Sequence, residues 1–564
     1  MTNSVLEKLE FLYGKENAGL IYPRLRQLIE QSKEEITYDQ KDLWDEKDIA
    51  LITYPDSFKQ ENLPGLQTLN SMLNEHAKEM FSIVHILPFY PYSSDRGFSI
   101  TDFMNVKKEF GDWQDISAIA INFRLMADFV LNHVSAKHEW FQRFLSGDDR
   151  YWNYFIHFAK DEIPTDDIEK VHRARTTPLL TKFTTAKGER WVWTTYSTGT
   201  TVDQIDLNYK NPEVILAMVS VLINLIKRKV RIIRLDAVGV IWKELGTSCD
   251  NLPQAHVLVQ LFREIVRAVC PSVLLITETS RLPYEENVKY FGNGTNEAHM
   301  VYNFSLAPLI LHSFYEGSTD RLSAYAAKLK TPTATTTFFN PLDIHDGLGA
   351  GGARNVLNED EFQNLCDEIQ KKGGKFSMMK GKDGQEVVKE LNITWWSALN
   401  DAEDMPFELQ LQRYITSRAI QFSLPGIPAV YYLSLFGGRN DSTAFHASKV
   451  PRDINRTSFS FEDISKKLRD NQGREARIID ALKNLIAKRR KFPAFHPGAA
   501  SKVLELDQKV FAMVRGERGD QVLALHNISK DSVKISVFGK EYSLDPFSYR
   551  WESYCRSCFE YPDS

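Results

Sequence analysis

The sequence predicts an α/β fold, a (β/α)8 TIM barrel with inserted small domains and a C-terminal antiparallel β domain. Three observations carry that prediction. Short apolar runs recur along the chain, each closing on polar or aromatic residues: DIALITYPD (48–56), SIVHILPFYPYSSD (82–95), FRLMADFVLNHVS (123–135), VRIIRLDAVG (230–239), SVLLITETS (272–280) and TTTFFNPLDIHDG (335–347). Amphipathic stretches such as PEVILAMVSVLINLIKRK (212–229) and AHVLVQLFREIVRAV (255–269) lie between such runs. Buried strands alternating with helices imply βαβ units, and about eight of them in series imply a closed parallel barrel. In the tail, KVFAMVRG, QVLALHNIS and VKISVFG are short alternating runs broken by turns, the pattern of antiparallel strands.

Taken in order, residues 1–47 read as a helical extension, with Leu6, Leu9, Leu12 and Tyr13, then Leu25, Leu28 and Ile29, at helical spacing among charges. The barrel is expected over 48–134, 210–346 and 393–495. An aromatic-rich, irregular stretch at 135–209, holding WNYF and WVWTTY, reads as a small domain inserted after the third strand. A second insertion at 347–392 carries GLGAGG and KKGGKFSMMKGKDG and reads as a flexible lid or acceptor loop. Residues 496–564 form the expected β domain.

Bulk properties narrow the function classes. The 564 residues exceed one ordinary domain, and 43% hydrophobic with 25% charged residues is ordinary for a folded soluble chain. A net charge of -5 gives no reason to expect nucleic acid. The five cysteines, Cys249, Cys270, Cys366, Cys555 and Cys558, are odd in number and scattered, which argues against a disulfide framework and for a reducing compartment. A single C-x-x-C at 555–558 without a second pair is not a zinc site. The N-terminus lacks a signal-peptide core, and the apolar stretch at 214–226 is too short to span a bilayer and runs into Lys227, Arg228 and Lys229. A cytoplasmic protein with no membrane association is expected.

Barrel active sites collect at the C-terminal ends of the strands. Polar residues close several runs there: Asp95, Asn132, His133, Asp236, Glu278, His345 and Asp346. Opening a glycosidic bond with retention needs two carboxyl groups on opposite faces of the sugar, one attacking and one protonating the departing oxygen. Asp236 ends one run and Glu278 the next, on neighbouring strands. Arg234 lies two residues before Asp236, so both side chains share a face, and its guanidinium favours an ionised carboxylate. Asp346 supplies a third acid to grip sugar hydroxyls as charge develops. Asp128 reads as a structural hydrogen-bonder beneath the site. A lone strand-end acid is as readily an ion-pair partner, and His133 alone a satisfied core histidine; the full set in pattern favours the site.

ADFVLNH (127–133), RIIRLDAVG (231–239), LLITET (274–279) and LDIHDG (342–347) resemble the four ordered motifs of the α-amylase superfamily, departing at Ile232, where a glycine is common. HILPFYPYSSDRGFSITDF (85–103), MVYNFSLAPLILHSF (300–314), LPGIPAVYYLSLFGGRND (424–441) and VPRDINR (450–456) are similar to the sucrose phosphorylase group within it. Within that group the chain's N-terminal extension, residues 278–304 and GLGAGGARNVL (347–357) resemble the glucosylglycerate phosphorylases most. The resemblance implies a retaining glycosyltransferase-type phosphorylase with Asp236 as nucleophile, Glu278 as acid/base and Asp346 as transition-state stabiliser. It implies no metal or organic cofactor. Its partners would be an α-glucoside, inorganic phosphate and a small hydroxy-acid acceptor, in a monomer or homodimer. Asp95 and Arg452 would hold the glucose 4-hydroxyl side, Phe98 would stack on the ring, and His133 and His345 would line the same subsite.

An acceptor carboxylate or phosphate would gain from the cations of the second insertion. Arg354 and Lys389, with Lys375, Lys380 and Lys382, are the candidates, although lysines in a Gly-rich loop are more often solvated surface. Alternatives to glucosylglycerate phosphorolysis are a sucrose phosphorylase, a glucosylglycerol phosphorylase, a plain α-glucosidase, or a non-catalytic binding subunit. The last would be expected to lose an acid, and this chain keeps all three.

Overall fold

The structure, a computed structural model, describes residues 3–36, 43–197, 202–381, 384–400, 405–517 and 519–554. Eight parallel strands close into a barrel: β1 (Ala50–Thr53), β2 (Ile83–Ile86), β3 (Arg124–Val130), β4 (Val230–Asp236), β5 (Leu274–Thr277), β6 (Met300–Tyr302), β7 (Thr337–Pro341) and β8 (Ile427–Tyr431). Each strand pairs with its neighbours in sequence, and β8 closes on β1 through Ala50↔Ala429. Five of these strands are buried along their whole length, and β3 and β4 each show one half-exposed residue near their starts, which is why they read as continuous apolar runs. The other, β6, has three buried residues, too few to raise a run signal, and β8 likewise fell outside the six runs read from the sequence.

Helices on the outside begin where the sequence allows. Pro212 and Pro253 stand at the first turn of the helices Pro212–Lys227 and Pro253–Val269, where the missing N–H costs nothing. Asn211 caps the first by accepting from the Glu213 amide at 3.0 Å. The N-terminal segment Asn3–Lys33 is helical on both sides of Gly14, whose φ of 77° interrupts it. Its Leu9, Leu12, Tyr13, Leu25 and Ile29 are buried, and it packs on those same two barrel helices. The extension is therefore a cover for one side of the barrel.

After β3 the chain leaves the barrel. His133–Ser135 pairs with Gln204–Asp206, and between them lies a small antiparallel sheet of His157–Phe158, Gly188–Trp193 and Leu180–Thr185. Lys243 ties this excursion down. Its ammonium lies 2.7 Å from Asp206 Oδ2 and donates to Asn132, while Asp206 also accepts from the Thr195 amide and hydroxyl at 2.7 Å each. Both side chains are enclosed, so their pairing offsets the cost of burying each.

The Lys- and Gly-rich insertion, read from the sequence as a flexible lid or acceptor loop, contains regular elements. Lys375–Lys380 and Glu386–Asn392 form an antiparallel hairpin, joined by Leu348–Gly349 at its other edge. Ser377, Met379 and Leu391 are buried, and a capped helix, Glu359–Lys371, flanks the hairpin. GLGAGG likewise serves close packing. A Cβ at Gly347, where φ is 93°, would meet the Leu391 carbonyl at 2.6 Å, and one at Gly351 would meet the Arg281 carbonyl at 2.9 Å.

The tail carries a four-stranded antiparallel sheet of Ser501–Leu504, Val510–Arg515, Gln521–Asn527 and Tyr549–Tyr554, with a hairpin Val533–Val537/Lys540–Leu544. Cys249, Cys270 and Cys366 are free and buried, and Cys555 and Cys558 lie outside the described residues. Among the described residues no helix is long and apolar enough to cross a membrane.

Candidate active site

The geometry starts from strand register. Leu235 on β4 pairs with Thr277 on β5, and the Glu278 amide donates to the Leu235 carbonyl at 3.1 Å. Asp236 and Glu278 therefore emerge side by side at the top of adjacent strands. One residue pair deeper, Arg234 donates from Nη1 to Asp236 Oδ1 at 2.6 Å and to Asp128, its register partner on β3. His85 on β2 donates through Nε2 to the other Asp128 oxygen at 2.8 Å. Three neighbouring strands thus build one buried polar chain beneath Asp236.

The turn after Asp236 is strained to a purpose. Ala237 has φ 51° and ψ 32°, a left-handed conformation uncommon for a residue with a Cβ. Held so, its N–H donates to Glu278 Oε2 at 2.9 Å, while the Ser280 amide donates to Oε1 at 3.1 Å. These bonds fix the Glu278 carboxyl over the end of β4.

Opposite stands a second charge cluster. Asp346, five residues past β7, is 2.7 Å from Arg452 Nη1. Arg452 also grips Glu390 with Nε at 2.9 Å and Nη2 at 2.6 Å, a two-point pair. Arg456 donates to Asp95 at 3.3 Å, to Asp346 at 3.4 Å and to the His345 carbonyl at 2.8 Å. Asp95 itself sits at φ 50°, next to Arg96 at φ 49°. Two consecutive left-handed residues turn its carboxylate into the cleft, where Gln204 donates to it at 3.2 Å.

Charge balance sets the titration of these groups. Burial pushes the Asp236 carboxyl up to about 8, Glu278 adding to the rise and Arg234 opposing it. At Asp346 burial acts upward too, but Arg452, His345 and Arg456 outweigh it and hold the carboxylate at about 2. Asp95 is lowered for the same reason, with Arg452, Arg456 and Arg175 overcoming burial. Burial depresses His345 to about 3, so its ring is neutral. One carboxyl of the facing pair thus keeps a proton at neutral pH, while the opposite wall stays ionised.

These groups line a cleft of about 420 Å3 at the C-terminal mouth of the barrel. Asp95, Phe98, His133, Asp236, Glu278, His345, Asp346, Lys389 and Arg452 all face it, with Arg234 directly beneath. Phe98 carries a constraint the sequence did not disclose. One face of its ring is already stacked on the His345 imidazole, with centroids 4.8 Å apart and planes 5° from parallel. His133 is positioned by donating through Nε2 to the Phe98 carbonyl at 3.1 Å.

Arg354 does not join them. Its guanidinium lies over the Phe362 ring at 4.0 Å with Glu359 beside it, held on the outer helix of the insertion by cation–π contact. Lys375 is likewise turned aside, 5.0 Å over Phe445, and Lys382 lies outside the described residues. Among the described residues Lys389 is the lysine of this insertion that lines the cleft, buried 2.9 Å from Glu390 and lowered to about 8 by burial.

The structure adds Arg175, Tyr196, Gln204, Glu390 and Arg456 to the sequence-derived set. Arg456 closes the VPRDINR motif and Glu390 adjoins Lys389, so position alone could have suggested both. Arg175, Tyr196 and Gln204 come from the irregular insertion, where no periodicity assigns an orientation. Among the described residues no carboxylate pairs with Arg175, whose guanidinium lies 5.9 Å over the Tyr196 ring.

Comparisons agree with this architecture. Residues 52–341 match the model for the alpha amylase catalytic domain. The chain is 43% identical to a glucosylglycerate phosphorylase of Allomeiothermus silvanus, covering 96% of this chain and 95% of the relative. It is 37% identical to the glucosylglycerate phosphorylase of Escherichia coli, covering 98% and 100%. The crystal structure of sucrose 6F-phosphate phosphorylase from Thermoanaerobacter thermosaccharolyticum superimposes with a TM-score of 0.75 at 28% identity, covering 88% of this chain and 98% of that one. The chain belongs to the α-amylase family, in the branch of glycoside phosphorylases that includes the glucosylglycerate phosphorylases.

Proposed function

We propose that the protein is a retaining phosphorylase that converts 2-O-α-D-glucosyl-D-glycerate and inorganic phosphate reversibly into α-D-glucose 1-phosphate and D-glycerate. The observation that carries this reading is the paired ends of β4 and β5, with Asp236 held by Arg234 at 2.6 Å and Glu278 fixed by two backbone amides. Likeness to relatives named for the glucosylglycerate reaction supports the choice of acceptor.

In the first displacement Asp236 attacks the anomeric carbon as the bond to glycerate breaks. Glu278, as the acid, gives a proton to the departing oxygen. The Arg234 ion pair favours charge on Asp236 as it attacks. A β-glucosyl ester on Asp236 results. Phosphate then takes the vacated face, Glu278 accepts its proton, and α-glucose 1-phosphate forms with two inversions and net retention. Asp346 and Asp95, kept ionised by Arg452 and Arg456, grip sugar hydroxyls more strongly as positive charge develops at the anomeric carbon. Arg175 and Lys389 at the same mouth offer cations to the incoming phosphate.

The test is phosphate release from α-glucose 1-phosphate with D-glycerate, glycerol, fructose or water as acceptor. Fast release with D-glycerate alone is expected. Release favouring fructose would return the enzyme to the sucrose reaction, release only to water would make it a hydrolase, and release with none would overturn the glucosyl-transfer reading.

A further inference from the structure

The cleft continues into a second recess of about 250 Å3, sharing Tyr196, Ala237, Glu278 and Ser280 with it. Its remaining wall comes from the loops that follow β4 and β5, among them Gly239, Asp250, Thr279 and Arg281. An acid that protonates a departing oxygen must stand between the sugar and the group that leaves. The sugar-binding charges lie on the far wall, with Asp95, Asp346 and Arg452. The recess beyond Glu278 therefore offers the space in which an acceptor could lie.

Arg281 is unusual within that recess. Its side chain is 8% exposed and pairs through Nη2 with Asp250 at 3.0 Å. Its Nη1 is buried and has no hydrogen-bond partner among the described residues. A buried guanidinium nitrogen left unpaired is costly unless a ligand completes it. Asp250 is itself pinned. Its neighbours Cys249 and Asn251 have φ of 52° and 55°, the Asn251 amide donates to the Gly239 carbonyl at 2.7 Å, and His172 bonds its second oxygen at 2.8 Å. From below, the backbone of Gly351 packs so close to that of Arg281 that a Cβ would lie 2.9 Å from its carbonyl oxygen.

We infer that Arg281 is the specificity-determining residue that grips the carboxylate of the acceptor, with Asp250 beside it accepting from an acceptor hydroxyl. The inference rests on the phosphorylase reading above and deepens it. A small hydroxy acid presents both groups at once, an anion for the guanidinium and a hydroxyl donor for the acid. Phosphate, a dianion at neutral pH, would face the Asp250 carboxylate across the same few ångströms. The mixed Arg–Asp wall thus favours a hydroxy-acid acceptor.

The test compares D-glycerate with glycerol, which lacks only the carboxylate function, in wild type, R281Q and R281K. The readout is the ratio of kcat/KM for the two acceptors, which is insensitive to a general loss of folded enzyme. In R281Q the ratio is expected to fall by on the order of 10- to 100-fold. R281K, which keeps charge but loses the planar fork, should fall between the two. A wild-type preference for glycerate that survives within about twofold in R281Q overturns the assignment of Arg281 alone, for a charge-assisted hydrogen bond should be worth more than that. A rise in KM for phosphate in R281Q without change in the acceptor ratio also overturns it and makes Arg281 a phosphate ligand. A wild type that shows no preference for glycerate over glycerol removes the phosphorylase reading for glucosylglycerate and this inference together.

Discussion

Arg234 sits between two carboxylates, and the protonation of the site follows from how its single charge is shared. Asp128 beneath it is held ionised at about 2, its burial outweighed by Arg234 and His85. Asp236 above shares the same guanidinium but also faces Glu278, so burial and that second carboxyl carry it up to about 8. The working state holds one proton on the Asp236–Glu278 pair. That proton leaves as pH rises through the upper value, so kcat/KM for α-glucose 1-phosphate is expected to fall on the alkaline side near pH 8. A pH–rate profile that stays level well above that value would contradict the shared-proton account. At this scale the sequence was informative wherever a residue closed an apolar run: Asp95, His133, Asp236, Glu278, His345 and Asp346 all face one cleft. It was silent on Arg175 and Tyr196, because their positions depend on the path of an irregular insertion rather than on strand period. Arg354 failed for a related reason. Proximity in sequence to the site could not reveal that Phe362 and Glu359 would hold it.

Strands, insertions and caps set where those residues stand. Six of the eight barrel strands fall within apolar runs with matching position, since a strand buried on both faces needs no alternation. In the second insertion composition did not disclose the packing: at Gly347 and Gly351 neighbouring backbone leaves no room for a Cβ. The first insertion hangs on the Asp206–Lys243 pair, which joins its returning strand to the end of β3 and the loop after β4. K243M removes the cation and leaves Asp206 enclosed without a counter-charge. The expected cost is about 3–5 kcal/mol of folding free energy, read by denaturant unfolding. A loss below about 1 kcal/mol would mean that Thr195 and Asn132 alone satisfy Asp206.

Across the whole molecule the barrel gathers groups from distant parts of the sequence into one mouth. Asp95, Asp236, Glu278, Asp346 and Arg452 converge there because the C-terminal ends of parallel strands share one rim. The N-terminal helix covers two barrel helices from outside, and both insertions line the cleft, Arg175, Tyr196 and Gln204 from one and Lys389 from the other. The central claim is that glucose passes covalently through Asp236 on its way to phosphate. The direct measurement is mass spectrometry of the E278Q variant incubated with α-glucosyl fluoride, whose leaving group needs no acid. One glucosyl unit on the peptide carrying Asp236, removed when phosphate or another nucleophile is added, is the predicted result. No adduct under conditions where the fluoride is consumed, or an adduct on any other residue, would contradict it.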